Sequence, residues 1–459
     1  MRSVAAALLA GAAILILLTL TIVRRSQREP ASTDVSAEAA GSRAAAEALS
    51  AFNAGDAGAA AAILETARAG GATSAGLSYL SGRLAAESCG HFDPNGVIEH
   101  LERAVDLDPN LAGARRALGE AYEMKRMYDW AVSRAQDALA ADPDAFEAIG
   151  EMGRARIGRG EYGDAVEAAD AIVRRGGDVF AYGLGAAFTL GGFAGQLRSM
   201  YDPEMERTND AGTNARTHLQ AGINAVWLGR LEDAVRHFER GAEYLGAPPE
   251  GPRRAQMLML AGRALSLDGR FREADGAFAA AIEAAGALPP LLYARGVNAL
   301  MSGDEARASR IASEIDTETR MGLPGWGAPW RHLMLGEIQL ADGDPARARE
   351  EIRQAWRLEQ PLAVDCITVH TDAYFLSALG RAYMGAGQTE EASDAFDQVR
   401  ALGYRAWHQP ELAVLALRRS AEALRAGGEE ARAAVLRAQY ERLWNGRRVT
   451  DAPEPTAMH

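Results

Sequence analysis

The stretch that decides the fold is LGRAYMGAGQTEEASDAF, residues 379–396. Its glycines, Gly380 and Gly387, are seven residues apart, and Ala392 and Phe396 follow twelve and sixteen residues after Gly380. We interpret the stretch as helix, turn, helix. Gly387 ends the first helix because glycine adopts the left-handed conformation at little cost. Ala392 keeps the second helix close to the first, and Phe396 closes the core between them.

The same spacing returns along the chain. Alanine lies twelve residues after seven glycines, in the pairs Gly119–Ala131, Gly153–Ala165, Gly222–Ala234, Gly262–Ala274, Gly296–Ala308, Gly336–Ala348 and Gly380–Ala392. Six of these glycines have another glycine at plus seven: Gly160, Gly229, Gly269, Gly303, Gly343 and Gly387. Four have a large apolar residue at plus sixteen: Phe238, Phe278, Ile352 and Phe396. Self-similarity at roughly 34 to 44 residues predicts a repeat solenoid.

This pattern resembles the tetratricopeptide repeat (TPR) family, a helix–turn–helix unit of about 34 residues. A good single match is Leu118-Gly119, Tyr122, Ala131, Ala138 and Pro143. The family's tryptophan in the first helix is mostly replaced here, and two intervals carry extra loop residues. The resemblance implies an all-α, TPR-like solenoid of about 8–10 repeats, whose stacked pairs form a curved surface that binds other molecules.

The repeat phase also predicts the organisation of the chain. The predicted segments are a transmembrane helix at 4–23, a linker at 24–42, a first array at 43–177, a diverged repeat or hinge at 178–214, a second array at 215–445 and a disordered tail at 446–459.

Val4–Val23 contains no charged residue and no proline, and a helix of about 20 apolar residues is long enough to span a bilayer. A cleaved signal peptide is the alternative, but the run is longer than a signal core, and arginines, not small residues, follow it. We therefore expect a single-pass membrane anchor. The Lys/Arg count beside the span favours cytoplasmic repeats, and a periplasmic array stays open. The near absence of lysine indicates GC-rich coding and hence a bacterial source.

The composition of the chain limits the classes of molecule that it can bind. The chain has 49 basic and 62 acidic residues, a net charge of −13, which opposes binding to nucleic-acid phosphates. Its two cysteines, Cys89 and Cys366, would lie in distant repeats, so a disulfide is not expected. We found no glycine-flanked serine nucleophile, phosphate-cradling loop or paired metal-binding histidines. The sequence therefore predicts no enzyme activity, cofactor or metal, and leaves the oligomeric state open.

The TPR resemblance implies that the first helix of each repeat lines a concave groove. The residues at those offsets in the second array are largely apolar, with isolated arginines, which suits an amphipathic helix or an apolar peptide. The predicted groove residues are Trp227, Met259, Arg263, Tyr293, Met301, Trp330 and Arg381. The same offsets include Ser266, Glu337 and Ser377. Alternatively, these residues are core, covered by loops or by tight superhelical closure.

Lys125 is the only lysine, and this argues against a receptor for chaperone tails, since TPR domains of that type resemble one another in using groove lysines. The function predicted is a membrane-tethered scaffold or adaptor that binds a protein segment, in the assembly or regulation of an envelope complex. The alternatives are an exported repeat protein with a cleaved signal, or a non-catalytic subunit of an enzyme complex.

Overall fold

Gly387 shows how a repeat turns. In the computed structural model its φ is 72°, and its N–H donates to the Met384 carbonyl at 3.0 Å. The next N–H, of Gln388, donates to the Tyr383 carbonyl at 2.9 Å. This pair of bonds is the Schellman arrangement that ends a helix. The other five glycines at plus seven also have positive φ, between 69° and 81°, which confirms the predicted turns.

The structure describes residues 35–53, 57–87, 94–125, 127–177, 179, 183–190, 211–245, 251–315, 327–359, 371–403 and 408–444. In the first part of the chain the helices are α1 (Val35–Asn53), α2 (Ala57–Ala69), α3 (Ala75–Glu87), α4 (Pro94–Leu107), α5 (Ala112–Met124), α6 (Tyr128–Ala141), α7 (Phe146–Gly158), α8 (Tyr162–Arg174) and α9 (Gly185–Leu190). In the second part they are α10 (Ala211–Trp227), α11 (Leu231–Tyr244), α12 (Gly251–Leu267), α13 (Phe271–Ala285), α14 (Pro289–Met301), α15 (Glu305–Glu314), α16 (Ala328–Ala341), α17 (Pro345–Glu359), α18 (Asp372–Gly385), α19 (Thr389–Ala401), α20 (Pro410–Ala426) and α21 (Glu430–Trp444).

Within these ranges the helices form ten sequential pairs, α1–α2 to α7–α8 and α10–α11 to α20–α21, with α9 between the two sets. The chain therefore has a TPR-like, all-helical repeat fold. The predicted linker at 24–42 needs correction, because α1 already begins at Val35 with helix-forming alanine and glutamate. The second array begins at Ala211, four residues earlier than predicted. Segments 191–210 and 446–459 lie outside the described residues, so the choice between diverged repeat and hinge stays a prediction.

The predicted localisation also needs correction. None of the helices in the described ranges is both long enough and apolar enough to cross a membrane. This finding contradicts the prediction of a single-pass membrane protein. The segment on which that prediction rested, 4–23, lies outside the described residues, as do Cys89 and Cys366. Membrane attachment forms no part of the function proposed below.

The alanines at plus twelve lie where the two helices of a pair meet. All seven are completely buried, with 0% of their surface exposed. The large apolar residues at plus sixteen are equally buried: Phe238, Phe278, Ile352 and Phe396. A methyl group at plus twelve lets the second helix approach the first closely, so the burial confirms the interpretation of the spacing.

The first glycine of each pattern makes room for one of two neighbours. Where plus sixteen is large, the glycine faces that side chain, and a Cβ added at Gly262 would lie 2.7 Å from the Phe278 ring. Where plus sixteen is alanine, the glycine faces an adjacent repeat instead. A Cβ at Gly296, for example, would lie 2.6 Å from the sulfur of Met334 in α16. The pattern therefore sets packing within some pairs and between pairs in others.

The second array closes on itself. Trp444, at the end of α21, is 1% exposed, and its Nε1 donates to the Val226 carbonyl of α10 at 2.9 Å. Its side chain lies against the backbone of Gly229, where a Cβ would come within 3.0 Å of the indole. Helices α10 and α20 also contact each other. The first and last helix pairs of the array therefore meet, and the first helices of the intervening pairs face a closed interior.

We predict that Gly262→Ala destabilises the fold by about 1–3 kcal/mol, because the new methyl group overlaps the Phe278 ring. Gly276→Ala is the matched control. It lies in α13 with no atom within 4 Å of an added Cβ, and alanine in an open helical position stabilises by about 0.5–1 kcal/mol. Urea unfolding of the full chain measures both. Equal midpoints for the two variants would contradict the packing described for Gly262.

Candidate functional site

Four of the seven predicted groove residues line one cavity of about 80 Å³ in the second array: Arg263, Tyr293, Met301 and Arg381. Trp330 packs against Tyr293, with ring centroids 5.4 Å apart. Trp227 and Met259 are buried in the large apolar core. The predicted residues thus contact other helices of the array instead of lining an open groove. Their role in binding a peptide stays a prediction, and the closed arrangement would have to open for a helix to reach them.

Charged side chains meet at this cavity from alternate helices. Arg381 of α18 pairs with Glu337 of α16, and Tyr293 of α14 donates to Glu337 Oε1 at 3.0 Å. Arg263 of α12 pairs with Glu411 of α20. These contacts join helices that are two or more positions apart in the chain, because all of them are first helices of their repeats. The ion pairs therefore form only when the array is tightly curved.

Aromatic rings form one wall of the cluster. Tyr374 meets Tyr293 edge to face at a centroid distance of 5.6 Å, and Trp330 meets Tyr374 at 5.6 Å. The guanidinium carbon of Arg263 lies 5.0 Å from the centre of the Tyr374 ring, within the range of a cation–π contact. Burial, and then the nearby Glu337 carboxylate, raises the pKa of the Tyr293 hydroxyl well above its usual value. Tyr293 is therefore a hydrogen-bond donor at any physiological pH.

Polar side chains complete the lining. Arg419 of α20 donates to the Ser377 hydroxyl at 2.8 Å, and Ser266 donates to Asn298 Oδ1 at 2.8 Å. The repeat spacing places Ser266, Glu337 and Ser377 at inner positions, but it misses Arg419 and Glu411. Helix α20 lacks the first glycine, since Ala421 stands seven residues before Gly428. The signals that could have found this repeat are the positive φ glycine, Gly428, and a buried alanine twelve residues after Ala421.

A second cavity, of about 890 Å³, lies in the first array between α2, α3 and α4. Small residues leave this space open, among them Ala61, Ala69 and Ala85, with Leu64, Leu77 and Leu84 as its larger apolar lining. We call it the first-array cleft. Ala61 and Ala69 are exposed, so the cleft opens to solvent within the described part of the chain. Sequence reasoning did not predict it.

The rim of the first-array cleft carries positive charge. Arg68 and Arg103 line it together with His100, and Glu65 is the acidic residue of its lining. Arg68 Nη1 lies 3.4 Å from His100 Nε2. Burial, followed by the charge of Arg68, lowers the pKa of His100. The imidazole is therefore neutral at pH 7 and accepts from Arg68 through Nε2, while the two arginines supply the charge.

A buried histidine pair lies apart from both cavities. His218 of α10 and His237 of α11 are buried, and their Nδ1 atoms are 2.9 Å apart. One imidazole donates and the other accepts, so the accepting ring is neutral in the folded state. Burial, and then the neighbouring His218, lowers the pKa of His237 to about 4. Groups of three or more His, Cys, Asp or Glu side chains suited to a metal do not occur in the described ranges.

Comparison with known proteins adds little beyond architecture. No family model matches the sequence, and no curated protein matches it. Among solved structures, the chain is similar to a tetratricopeptide repeat protein from Parabacteroides merdae, with 15% identity, 64% of this chain and 93% of that chain covered, and a TM-score of 0.37. It is similar to yeast Tom70, with 14% identity, 76% of this chain and 88% of that chain covered, and a TM-score of 0.33.

Human IFIT1, solved as a dimer with m7Gppp-AAAA, is another similar structure, with 11% identity, 86% of this chain and 80% of that chain covered, and a TM-score of 0.42. Identities and TM-scores this low transfer no function. The TPR-like assignment therefore rests on this chain's own helix pairs, glycine turns and buried alanines.

We predict that Arg381→Met destabilises the second array by about 3–5 kcal/mol, because it leaves the Glu337 carboxylate buried without its cation. The double variant Glu337→Met/Arg381→Met should recover most of that loss, since it removes both charges and keeps the volume apolar. Chemical unfolding of the two variants and the parent measures the difference. A double variant no more stable than Arg381→Met alone would contradict the ion-pair geometry.

The histidine pair predicts a pH dependence. Between about pH 6.5 and 4 the unfolded chain protonates His237 and the folded chain does not, so stability falls as pH falls through this window, by about 3 kcal/mol from this group. His237→Gln should reduce the pH slope. It will not abolish it, because burial also lowers the pKa of His408 to about 4. Unfolding curves at pH 7.5, 6, 5 and 4 provide the test, and an unchanged slope in the variant would contradict this role of His237.

Proposed function

We propose that this protein is a non-catalytic scaffold that binds a segment of a partner protein in the first-array cleft. The observation that carries the proposal is the contrast between the two cavities. The cleft has a volume of about 890 Å³ and exposed lining residues such as Ala61 and Ala69, whereas the cavity of the second array has a volume of about 80 Å³ and is lined mostly by buried side chains. The larger volume is within the range of cavities that hold ligands.

The chemistry of the cleft favours a particular kind of segment. Its floor consists of alanine and leucine side chains, which match small apolar side chains of a partner. Arg68 and Arg103 at the rim attract carboxylates, so the favoured segment has acidic residues beside small apolar ones. Such complementary charge guides encounter and fixes orientation more than it raises affinity. The net charge of −13 for the whole chain supports a protein partner over a nucleic acid.

The two arrays have different tasks in this proposal. Trp444 and internal ion pairs join the helices of the second array to one another. The first array presents the cleft and receives the partner. Together they place one bound protein at a fixed position beside another surface, which is the role in assembling or regulating a larger complex that the TPR resemblance implies.

The proposal is tested with peptides selected from a random library on the full-length chain. We expect selected peptides to combine acidic and small apolar residues, and their affinity to fall at least tenfold for Arg68→Glu/Arg103→Glu. The matched control is Arg272→Glu/Arg310→Glu, which makes the same charge change at two exposed arginines of the second array and should leave the affinity unchanged.

A further variant, Ala85→Trp, fills the cleft without changing its charge and should also weaken binding. Fluorescence anisotropy with labelled peptides gives the dissociation constants, and circular dichroism confirms that each variant folds. Selected peptides that bind the cleft variants and the control equally well would overturn the placement of the site. Failure to select any peptide that binds the parent chain saturably would overturn the scaffold function at this cleft.

A further inference from the structure

Three nitrogen-bearing side chains form a cluster at the rim of the first-array cleft. Arg68 lies in the last turn of α2, whereas His100 and Arg103 lie three residues apart on α4 and therefore share one face of that helix. Arg68 Nη1 lies 3.4 Å from His100 Nε2. Burial first, then the charge of Arg68 and more weakly that of Arg103, lowers the pKa of His100 against the effect of Glu99. Both guanidinium groups are therefore close to one imidazole ring.

The two arginines of this cluster are available to an anion. Exposed arginines elsewhere in the chain often pair with an acidic residue on their own helix, as Arg400 does with Asp397 at 2.6 Å. Arg68 and Arg103 are also exposed, but within the described part of the chain neither has a carboxylate at ion-pair distance. Glu65 lines the cleft near them without pairing with either. The rim therefore offers two guanidinium groups that an incoming ligand can bind.

A hydroxyl group deeper in the cleft is available as well. Ser78 of α3 lines the cleft and is 7% exposed. In the ranges that the structure describes, its hydroxyl has no hydrogen-bond partner. Ser81, one turn later, instead donates to the Leu77 carbonyl at 2.9 Å. Because buried polar groups in proteins are generally hydrogen-bonded, the Ser78 hydroxyl indicates that a polar ligand group enters the cleft beside its apolar floor.

A phosphate group matches the rim better than a carboxylate does. A phosphorylated serine or threonine carries about 1.5 to 2 negative charges at pH 7 and has three strong acceptor oxygens. One arginine can already bind both oxygens of a carboxylate in a bidentate pair, which leaves the second arginine without a partner. The third oxygen and the second charge of a phosphate allow Arg68 and Arg103 to bind the same group.

The rest of the cleft holds more than a phosphate. Its volume is about 890 Å³, which is in the range that encloses a drug-sized ligand. Leu64, Leu77 and Leu84 form the larger apolar part of the lining. This floor contacts the apolar side chains that flank the phosphorylated residue. The cleft therefore suits a segment of a protein rather than a free anion.

We infer that the first-array cleft binds a protein segment that carries a phosphoserine or phosphothreonine beside small apolar residues. The phosphate binds Arg68 and Arg103, and His100 accepts from Arg68 and positions its guanidinium group at the rim. This inference rests on the proposed function, since it names the kind of segment that the same cleft takes. Phosphorylation of the partner then controls when the scaffold binds it.

The test compares three versions of one peptide on the full-length chain. A peptide library with a fixed central phosphoserine is screened, and the peptide that binds best is synthesised with phosphoserine, glutamate or serine at that position. Fluorescence anisotropy gives the three dissociation constants. We expect the phosphoserine version to bind at least tenfold more tightly than the glutamate version, and the serine version to bind most weakly. Inorganic phosphate should displace the peptide only at a concentration at least a hundredfold above the dissociation constant of the peptide.

Four variants separate the geometry of the rim from its charge. Arg68→Gln/Arg103→Gln should remove the preference for phosphoserine over serine. Arg68→Lys/Arg103→Lys keeps the charge but loses the paired donors, so it should keep that preference and lose most of the preference for phosphoserine over glutamate. Glu65→Gln removes a nearby negative charge and should raise the affinity for the phosphoserine version severalfold. The control, Arg272→Gln/Arg310→Gln at exposed positions of the second array, should leave all three affinities unchanged.

The outcomes distinguish this inference from the proposed function. Equal binding of the phosphoserine and serine versions would overturn the inference and leave the scaffold function of the cleft intact. A preference for phosphoserine that survives Arg68→Gln/Arg103→Gln, in a chain shown by circular dichroism to be folded, would also overturn it, as would displacement by inorganic phosphate near the peptide's dissociation constant. A phosphoserine library without a saturable binder would overturn it too, and the random-library selection then decides separately whether the scaffold function fails.

Discussion

The structure depends on how closely the two helices of each repeat approach. A glycine in the first helix and an alanine twelve residues later remove the side chains that would hold the helices apart. Where an aromatic ring stands at plus sixteen, as at Phe238 or Phe396, it lies directly on the backbone of the first helix. Because packing in protein interiors is dense, this contact sets how closely the two helices of such a pair approach. Where alanine stands at plus sixteen, the first glycine instead allows close packing against an adjacent repeat, as Gly296 does against Met334.

Close packing of the two helices in each repeat gives a tightly wound superhelix. The first helices of the second array therefore come together, and their polar side chains meet in its interior. Ion pairs buried in a protein rarely stabilise it compared with apolar residues of the same size. The Glu337–Arg381 and Arg263–Glu411 pairs instead select one arrangement, because they form only when first helices from several repeats converge. Trp444, which lies outside the cavity, also favours this arrangement, because its indole binds the first helix pair of the array across 218 residues of sequence.

The sequence predicts the local unit well and the global curvature poorly. The positive φ of the plus-seven glycines and the complete burial of the plus-twelve alanines follow from spacing alone. Closure of the second array does not follow from the spacing, because it is the sum of small rotations between repeats that no single motif encodes. Trp227 and Met259 were expected in a groove for this reason, yet they are core residues. The repeat spacing did not identify helix α20, because Ala421 replaces the first glycine of its repeat. For the same reason Arg419 and Glu411, which lie on this helix, were not predicted as inner residues.

The first-array cleft shows a second limit of sequence reasoning. The run of alanines in α2 predicts a helix, but the same small side chains also leave a space beside α3 that no periodic pattern marks. In contrast, the predicted groove residues Arg263, Tyr293 and Arg381 do meet in one place, in a small cavity of about 80 Å³. Offsets within a repeat therefore identify which residues face inward. They do not tell whether that inner face is open.

Closure of the second array is the central claim, and a distance between spin labels tests it directly. The labels would be placed on two exposed positions at the ends of the array, Arg236→Cys and Val435→Cys, in a chain whose native cysteines are replaced by serine. The contact between Trp444 and Val226 predicts a single short and narrow distance distribution. A long or broad distribution, typical of an open superhelix whose ends do not meet, would contradict the account.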